Sequence, residues 1–411
     1  MVRVAYFQNE CAPYRMPIFK EIAMLPNVKL TVYFGRYRSP NRKWAVKLDN
    51  SFDYEILREV NFLAHTPIFS FNSEDIANPL NLSLPLKLLR NKYDVFIGGV
   101  PHYFGTIIMF LISKILRKPF ILFLEEIDYK GGEISSYLGR FRKYASWKLL
   151  SFPLIVARFI FWQLVLRHSD CYVVPGTATR EYLLRRGMLA SKIFTAWNVI
   201  DNETVAQDCQ ESLNKGNAKK LRASLGLENK KIILSVAYLE ERKGLHYLIQ
   251  AYAKLKQEDD DLSLIIVGDG PFKQNLKELA AENNISIVFV GYVKNLVDYY
   301  LAADIFVLPT LQDVWGFVIN EAMVCGCPIV TTYNAGASRD LVRQGTNGYV
   351  VETMNVGQLY QTLKRIMTDD RLRQDMKEAS RNIIRGFSFK NSVEGYRAAI
   401  DFAIRQKGKP Y

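Results

Sequence analysis

The sequence predicts an α/β protein built from two doubly wound parallel sheets whose strand ends meet across a central cleft. Three observations carry that expectation. A chain of 411 residues exceeds one ordinary core, at roughly 100–200 residues per domain. Short runs of Val, Ile and Phe alternate with helix-period segments from end to end. The alternation starts afresh after residue 201, beyond a polar, Asn- and Lys-rich stretch (201–226) that reads as the boundary. The expected domains are therefore 1–200 and 201–390, with a last helix near 391–411 that can cross back onto the first.

In the first half the expected strands are 2–8, 28–35, 93–99, 118–126 and 171–176, with helices near 17–24, 105–116 and 178–186. In the second half the strands are 231–238, 262–270, 285–293, 304–310, 328–332 and 348–352. The helices between them are 245–256, 271–283, 297–303, 317–326 and 338–345, followed by 393–403. Ligands bind such open sheets in the crevice beyond the carboxyl ends of the strands, so function is sought in the strand-to-helix loops.

Composition narrows the chemistry. Hydrophobic residues make up 49% and charged residues 23%, which suits a packed interior and excludes a disordered chain. The cysteines (Cys11, Cys171, Cys209, Cys325 and Cys327) are scattered, so neither a disulfide framework nor a zinc site is indicated, and a reduced, cytoplasmic protein is expected. Four histidines without an H-E-x-x-H argue against a metallohydrolase. The net charge of +13 is uneven: residues 1–200 hold 27 Lys and Arg against 15 Asp and Glu, whereas 201–411 hold 27 against 26. No acid lies between Glu133 and Asp170, where Arg140, Arg142, Lys143, Lys148, Arg158 and Arg167 fall. One face of the first domain should carry a positive field.

The opening MVRVAYFQNE lacks the apolar region of a signal peptide. The apolar run 149–166 is broken by Pro153 and Arg158, and a central Arg costs about 2.5–3.5 kcal/mol on insertion scales. Residues 134–168 are read as basic helices resting on an anionic membrane surface; a helix pair packed inside the domain is the alternative.

The most informative loop is 309–330. Asp313 and Glu321 bracket Trp315, Gly316, Phe317 and Val318 at a helix start. Gly316 lets a ligand approach the backbone, and the N–H groups that follow suit a phosphate. Glu321, a turn into the helix, can accept two hydrogen bonds from vicinal hydroxyls such as those of a ribose. Taken singly, Asp313 reads more readily as a helix cap and Glu321 as an exposed helical acid, since acids at helix starts are common. Lys243, followed by Gly244 after the first strand of the second half, suits a diphosphate as a point charge, with Arg242 beside it.

With its surroundings, this loop resembles glycosyltransferase family 4. The family carries E-x7-E followed by A-M-x-x-G-x-P-[VI]-[VI], matched here by Asp313, Glu321, Ala322, Met323, Gly326, Pro328, Ile329 and Val330. ERKGLHYLIQAYAKL, LIIVGDGP, VFVGYV, YLAADIFVLPT and AGASRDLVRQGTNGYVVE follow in family order. The resemblance implies the GT-B fold, two Rossmann-like domains about a cleft, and a retaining, metal-independent transfer from a nucleotide-diphosphate sugar without a cofactor. It implies Glu321 on the ribose, Asp313 on the transferred sugar, Lys243 on the diphosphate and the backbone around Gly270 and Val293 near the nucleotide. Two positions depart from the pattern: Asp313 replaces Glu, and Tyr238 stands where the family has Arg, leaving Arg242 to restore that charge.

In the first half, Pro13-Tyr14-Arg15-Met16-Pro17 resembles a bacterial branch acting on cell-surface saccharides. Arg15 is a candidate for the donor, and His102 and Glu125 (rather than Glu126) for catalysis, each at a strand end. The expected acceptor is a saccharide, lipid-linked, at the inner face of the cytoplasmic membrane. Two other classes fit the sequence less well. An oxidoreductase would want G-x-G-x-x-G after Val2–Phe7, which is absent. A nucleic-acid binder is suggested by charge alone, and no such module appears. A catalytically silent nucleotide-sugar-binding protein is the remaining alternative.

Overall fold

The computed structural model describes residues 1–37, 46, 48, 50–58, 81–100, 103–128 and 152–406, with 152–159 as backbone alone. Strands of parallel sheets are covered on both faces and read as continuous apolar runs. β4 (Val95–Gly98), β5 (Phe120–Phe123) and β6 (Cys171–Val174) are buried at every residue. With β1 (Val2–Glu10), β2 (Val28–Arg36), β3 (Asp53–Ile56) and β7 (Ile193–Thr195) they form an all-parallel sheet in the order β3-β2-β1-β4-β5-β6-β7. The order reverses between β1 and β4, which opens a crevice beyond their carboxyl ends. Alternation sorts β1 between two cores: Val4 and Tyr6 point to one layer, Ala5 and Phe7 to the other. The helices of this lobe are α1 (Met16–Ala23), α2 (Leu84–Arg90), α3 (Phe104–Ile115), α4 (Phe152–His168) and α5 (Thr177–Arg185).

The stretch 201–226, read from sequence as a polar boundary, is helical. α6 (Asn202–Lys215) is capped by Asp201, which accepts from the Thr204 N–H at 3.0 Å, and ends at Gly216 with φ 64°. α7 (Asn217–Ser224) follows directly. Most of their side chains are polar because only one narrow face is buried; Cys209 of α6 joins the second core.

That core belongs to a second all-parallel sheet, ordered β10-β9-β8-β11-β12-β13. Its strands are β8 (Lys231–Val236), β9 (Leu262–Val267), β10 (Val288–Gly291), β11 (Ile305–Leu308), β12 (Ile329–Thr332) and β13 (Gly348–Val351). The switch point here lies between β8 and β11. The connecting helices are α8 (Leu245–Lys256), α9 (Lys273–Glu282), α10 (Val297–Ala302), α11 (Phe317–Val324) and α12 (Ser338–Leu341). Two more, α13 (Val356–Thr368) and α14 (Asp370–Ile384), complete the outer layer; the strand-and-helix reading had named neither.

The last helix, α15 (Phe389–Gln406), returns to the first lobe, where Val393, Tyr396, Ala399, Ile400 and Ala403 fill the layer beneath β5, β6 and β7. The two chain passages between the lobes run side by side. The Asn202 side-chain amide donates to the carbonyls of Ile384 (3.1 Å) and Phe387 (2.8 Å), and the Ser392 hydroxyl donates to that of Trp197 at 2.8 Å. Gly395 makes this return possible, because a Cβ there would sit 2.1 Å from the Thr195 carbonyl oxygen. Among the described residues no helix is long and apolar enough to cross a membrane.

Gly395→Ala is expected to lower stability by about 1–3 kcal/mol through overpacking, read as an earlier midpoint in urea unfolding. An unchanged midpoint would mean α15 does not seat against β7 as described.

Candidate active site

Two loops meet at the second switch point. The β8 loop ends in a short turn, Glu241–Lys243, closed by Gly244 at φ 66°. A Cβ on Gly244 would lie 2.1 Å from the Pro309 carbonyl oxygen of the β11 loop, so only glycine allows the loops this close. The Arg242 carbonyl stitches them together, accepting from the Leu311 N–H at 2.8 Å and the Thr310 hydroxyl at 3.1 Å. Lys243 therefore reaches Asp313, with Nζ 2.6 Å from Oδ2 and both side chains largely buried. Asp313 is itself fixed: its N–H donates to the Asn334 carbonyl, its carbonyl accepts from Gly336, and Oδ1 takes the Trp315 N–H at 3.3 Å.

Gly316, at φ 96°, opens α11. The helix start lies beside Asp313, whose Oδ2 would be 3.8 Å from a Cβ on Gly316, and the N–H groups of a helix start suit an anion. Glu321 lies in the second turn of α11. The Tyr300 hydroxyl of α10 donates to Glu321 Oε2 at 2.9 Å. Burial pushes the Glu321 carboxyl above its ordinary value, and the Tyr300 hydrogen bond pulls partly back.

The first lobe faces this edge with its own switch-point loops. Arg15, 4% exposed, donates to Glu125 Oε1 at 2.5 Å and lies 4.1 Å from the Phe123 ring centroid. The same Glu125 oxygen accepts from the Asn198 amide at 2.9 Å. The Asn198 carbonyl accepts from the Asn320 amide at 3.4 Å, and Asn320 Oδ1 takes the indole N–H of buried Trp315 at 2.9 Å. This chain of polar contacts runs from one lobe to the other. Nearby, the rings of Tyr14 and Phe317 stand 4.9 Å apart across the lobes.

A second bridge involves Asp340 of α12. It accepts from the Thr177 N–H at 2.9 Å and the Thr177 hydroxyl at 2.8 Å, capping the first-lobe helix α5 from the other lobe. Gly176, which precedes α5, has no room for a Cβ: it would meet Asp340 Oδ2 at 2.5 Å and Trp315 Cζ3 at 2.6 Å. Burial raises the Asp340 carboxyl, opposed by its hydrogen bonds from Thr177 and Trp197. Arg339 adds an ion pair to Glu181 at 2.6 Å.

The structure thus gathers Lys243, Asp313, Gly316, Phe317, Val318 and Glu321 at one edge, with Arg15 and Glu125 in the facing lobe. Arg15 and Glu125, expected separately as a donor ligand and a catalytic acid, are partners of each other. Arg242 turns aside: its guanidinium pairs with Glu240 at 2.5 Å and donates to the Gln312 carbonyl. Gly270 packs against the Leu239 backbone, where a Cβ would lie 2.5 Å from its carbonyl oxygen. Val293 follows β10 and packs against the second core. His102 and residues 134–151 lie outside the described residues. Sequence reasoning missed Tyr300, Asn320 and Asp340. Each has a partner 21 to 163 positions away, and no local spacing announces such pairs.

Residues 217–383 match the profile of the family described as "Glycosyl transferases group 1". Among curated proteins, the chain is 30% identical over 210 residues to a Campylobacter jejuni N-acetylgalactosamine-N,N'-diacetylbacillosaminyl-diphospho-undecaprenol 4-alpha-N-acetylgalactosaminyltransferase, covering 51% of this chain and 52% of that protein. It is 25% identical over 346 residues to the sulfoquinovosyl transferase SQD2 of Arabidopsis thaliana, covering 80% and 62%. The chain thus spans about half the length of the first curated relatives it matches, between 50% and 62% for three of them. Among solved structures, it superposes on HepE of Anabaena in complex with UDP with a TM-score of 0.68 at 17% identity, over 100% of both chains. A glycosyltransferase from Rickettsia africae gives 0.69 at 15% identity, over 99% of both. The fold is therefore GT-B.

Because folding raises the Glu321 carboxyl above its ordinary 4.5, the folded state holds that proton more tightly than the unfolded one. Ionising Glu321 weighs against folding at any pH above the folded value and has no effect below the ordinary one. Glu321→Gln, which keeps the acceptor for Tyr300, is expected to melt at or above the wild-type temperature at pH 7. The difference should close toward pH 4, as read by differential scanning calorimetry. A variant less stable at pH 7 than at pH 4, relative to wild type, contradicts this.

Proposed function

We propose that this chain is a retaining glycosyltransferase that moves a sugar from a nucleotide-diphosphate donor, held by the second lobe, to a saccharide acceptor entering from the first. One observation carries the reading: Lys243, Asp313, the start of α11 and Glu321 stand together at the carboxyl edge of the second sheet, at its switch point. The names of the similar proteins support it. HepE structures are described in complex with UDP, with UDP and glucose, and with UDP-glucose, and the Campylobacter relative's name specifies a saccharide on diphospho-undecaprenol.

In this reading Glu321 accepts the two ribose hydroxyls. Lys243 and the N–H groups after Gly316 hold the diphosphate, so charge building on the departing nucleoside diphosphate meets donors already in place. Asp313 keeps the Lys243 ammonium at the helix mouth until the diphosphate takes it up, and borders the sugar. The positive charge is supplied by protein groups, so activity is expected to survive EDTA.

The acceptor side is read as a membrane surface, with a lipid-linked saccharide, in cell-surface polysaccharide synthesis. Three helices covering one face of the first sheet leave apolar side chains in solvent: Leu86 and Leu89 of α2, Leu111 and Ile115 of α3, Ile160 and Leu164 of α4. Exposed cations, Arg90, Lys92, Arg117 and Arg167, lie at or just past the carboxyl ends of these helices. An apolar face among cations matches a bilayer rich in anionic lipid. In this reading the chain works at the inner face of the cytoplasmic membrane.

Two experiments test the proposal. In calorimetric titration, Glu321→Gln should lose most affinity for the nucleoside diphosphate and Lys243→Ala roughly tenfold or more; unchanged affinity in both removes the donor-site reading. In co-sedimentation, the protein should bind phosphatidylglycerol vesicles at low salt, and Ile115→Glu with Leu164→Glu should release it without changing nucleotide affinity. Equal binding to neutral phosphatidylcholine vesicles at all salt concentrations would refute the surface.

A further inference from the structure

We infer that Tyr300 is the positioning residue for Glu321: its buried hydroxyl holds one carboxylate oxygen, leaving the other presented to the nucleotide. The inference rests on the reading of Glu321 as the ribose acceptor. A carboxylate only accepts hydrogen bonds, so the 2.9 Å contact between Tyr300 and Glu321 Oε2 has Tyr300 as donor.

Tyr300 is fixed at both ends. It is 2% exposed, and its ring meets Phe306 edge-on at 5.7 Å. Its N–H donates to the Leu296 carbonyl, and its own carbonyl accepts from the Cys327 thiol at 3.2 Å. A phenol so placed cannot follow a wandering carboxylate; the carboxylate must come to it. Glu321 has three side-chain torsions, each of which would otherwise have to be frozen when a ligand binds. With Oε2 held, Oε1 keeps a constant direction.

The hydrogen bond also sets the carboxyl's charge. Among the described residues, the titratable groups that interact with the Glu321 carboxylate are the Tyr300 hydroxyl on α10 and the Cys325 thiol beyond α11; burial pushes Tyr300 up, and for Cys325 the hydrogen bond with Cys209 does so first and burial next, so both stay neutral near pH 7. The Tyr300 donor is what favours the ionised form against burial. Without it Glu321 needs a higher pH to ionise and accept two hydroxyls.

The test is Tyr300→Phe, which keeps the packed ring. UDP, GDP and ADP are titrated, each beside its 2′,3′-dideoxy analogue, from pH 5 to 8, with a thermal melt of each protein. The wild type should prefer the ribose form. The Phe variant should bind that form roughly five- to tenfold more weakly, lose little for the dideoxy form, and lose binding at a higher pH than wild type on acidification. Equal losses for both forms, or an acid limb that does not move, would make Tyr300 merely structural and overturn the inference. A wild type that binds none of the three, or does not distinguish the two sugars, instead overturns the ribose reading of Glu321.

Discussion

A line of buried hydrogen bonds, from Arg15 through Glu125, Asn198 and Asn320 to Trp315, sets how the two sheets face each other. Its members are mostly enclosed, so each polar group must find its partner within the protein or forfeit about 1–3 kcal/mol of desolvation. That requirement makes the contact selective. Sliding one lobe past the other by an ångström or two would strand several of these groups at once. Burial works against the Arg15 charge and Glu125 restores it, so neither member of that pair can leave alone. The cleft is thus bordered by a polar seam, beside which the rings of Tyr14 and Phe317 meet across the lobes.

The lobes are also joined where chain must pass close to chain. Asp340 caps α5 from the opposite lobe, which frees Gly176 to carry no side chain and lets Trp315 pack beneath it. The arrangement costs stability: both Asp340 and Glu321 are acids that burial drives toward the neutral form. Acids held in this state are common where binding, rather than folding, has set the residue.

The fold was legible because parallel strands buried on both faces leave continuous apolar runs, and Val95–Gly98 or Ile305–Leu308 admit few other readings. The stretch 201–226 was not. Amphipathic helices lying flat on a lobe, such as α6, expose most of their side chains, and their composition matches that of a linker. That Lys243, Asp313 and Glu321 lie in loops and a helix at the strand ends was legible because each sits at a fixed offset from a strand or glycine turn. The pairing of Arg15 with Glu125 was not, for it depends on β1 and β5 ending at the same height, separated by β4. Tyr300 was hidden for the same reason, since β11 intervenes in the chain between it and Glu321.

The aspartate at 313 has its own logic. Its backbone is held on both sides, by Asn334 and Gly336, and its side chain turns back to the Trp315 N–H. A carboxylate on one methylene satisfies that N–H and still meets Lys243 at 2.6 Å; a second methylene would lengthen its reach. The short acid therefore favours holding the lysine over reaching a sugar. Tyr238 stands half-exposed where the resemblance calls for arginine, and Arg242 is turned toward Glu240. On the proposed reading Lys243 is then the cation that meets the diphosphate, and an ammonium on a flexible stem needs to be aimed. On that reading Asp313 supplies the aim, and the two departures from the pattern the sequence resembles form one adjustment: an arginine replaced at 238, and a shorter acid that fixes Lys243.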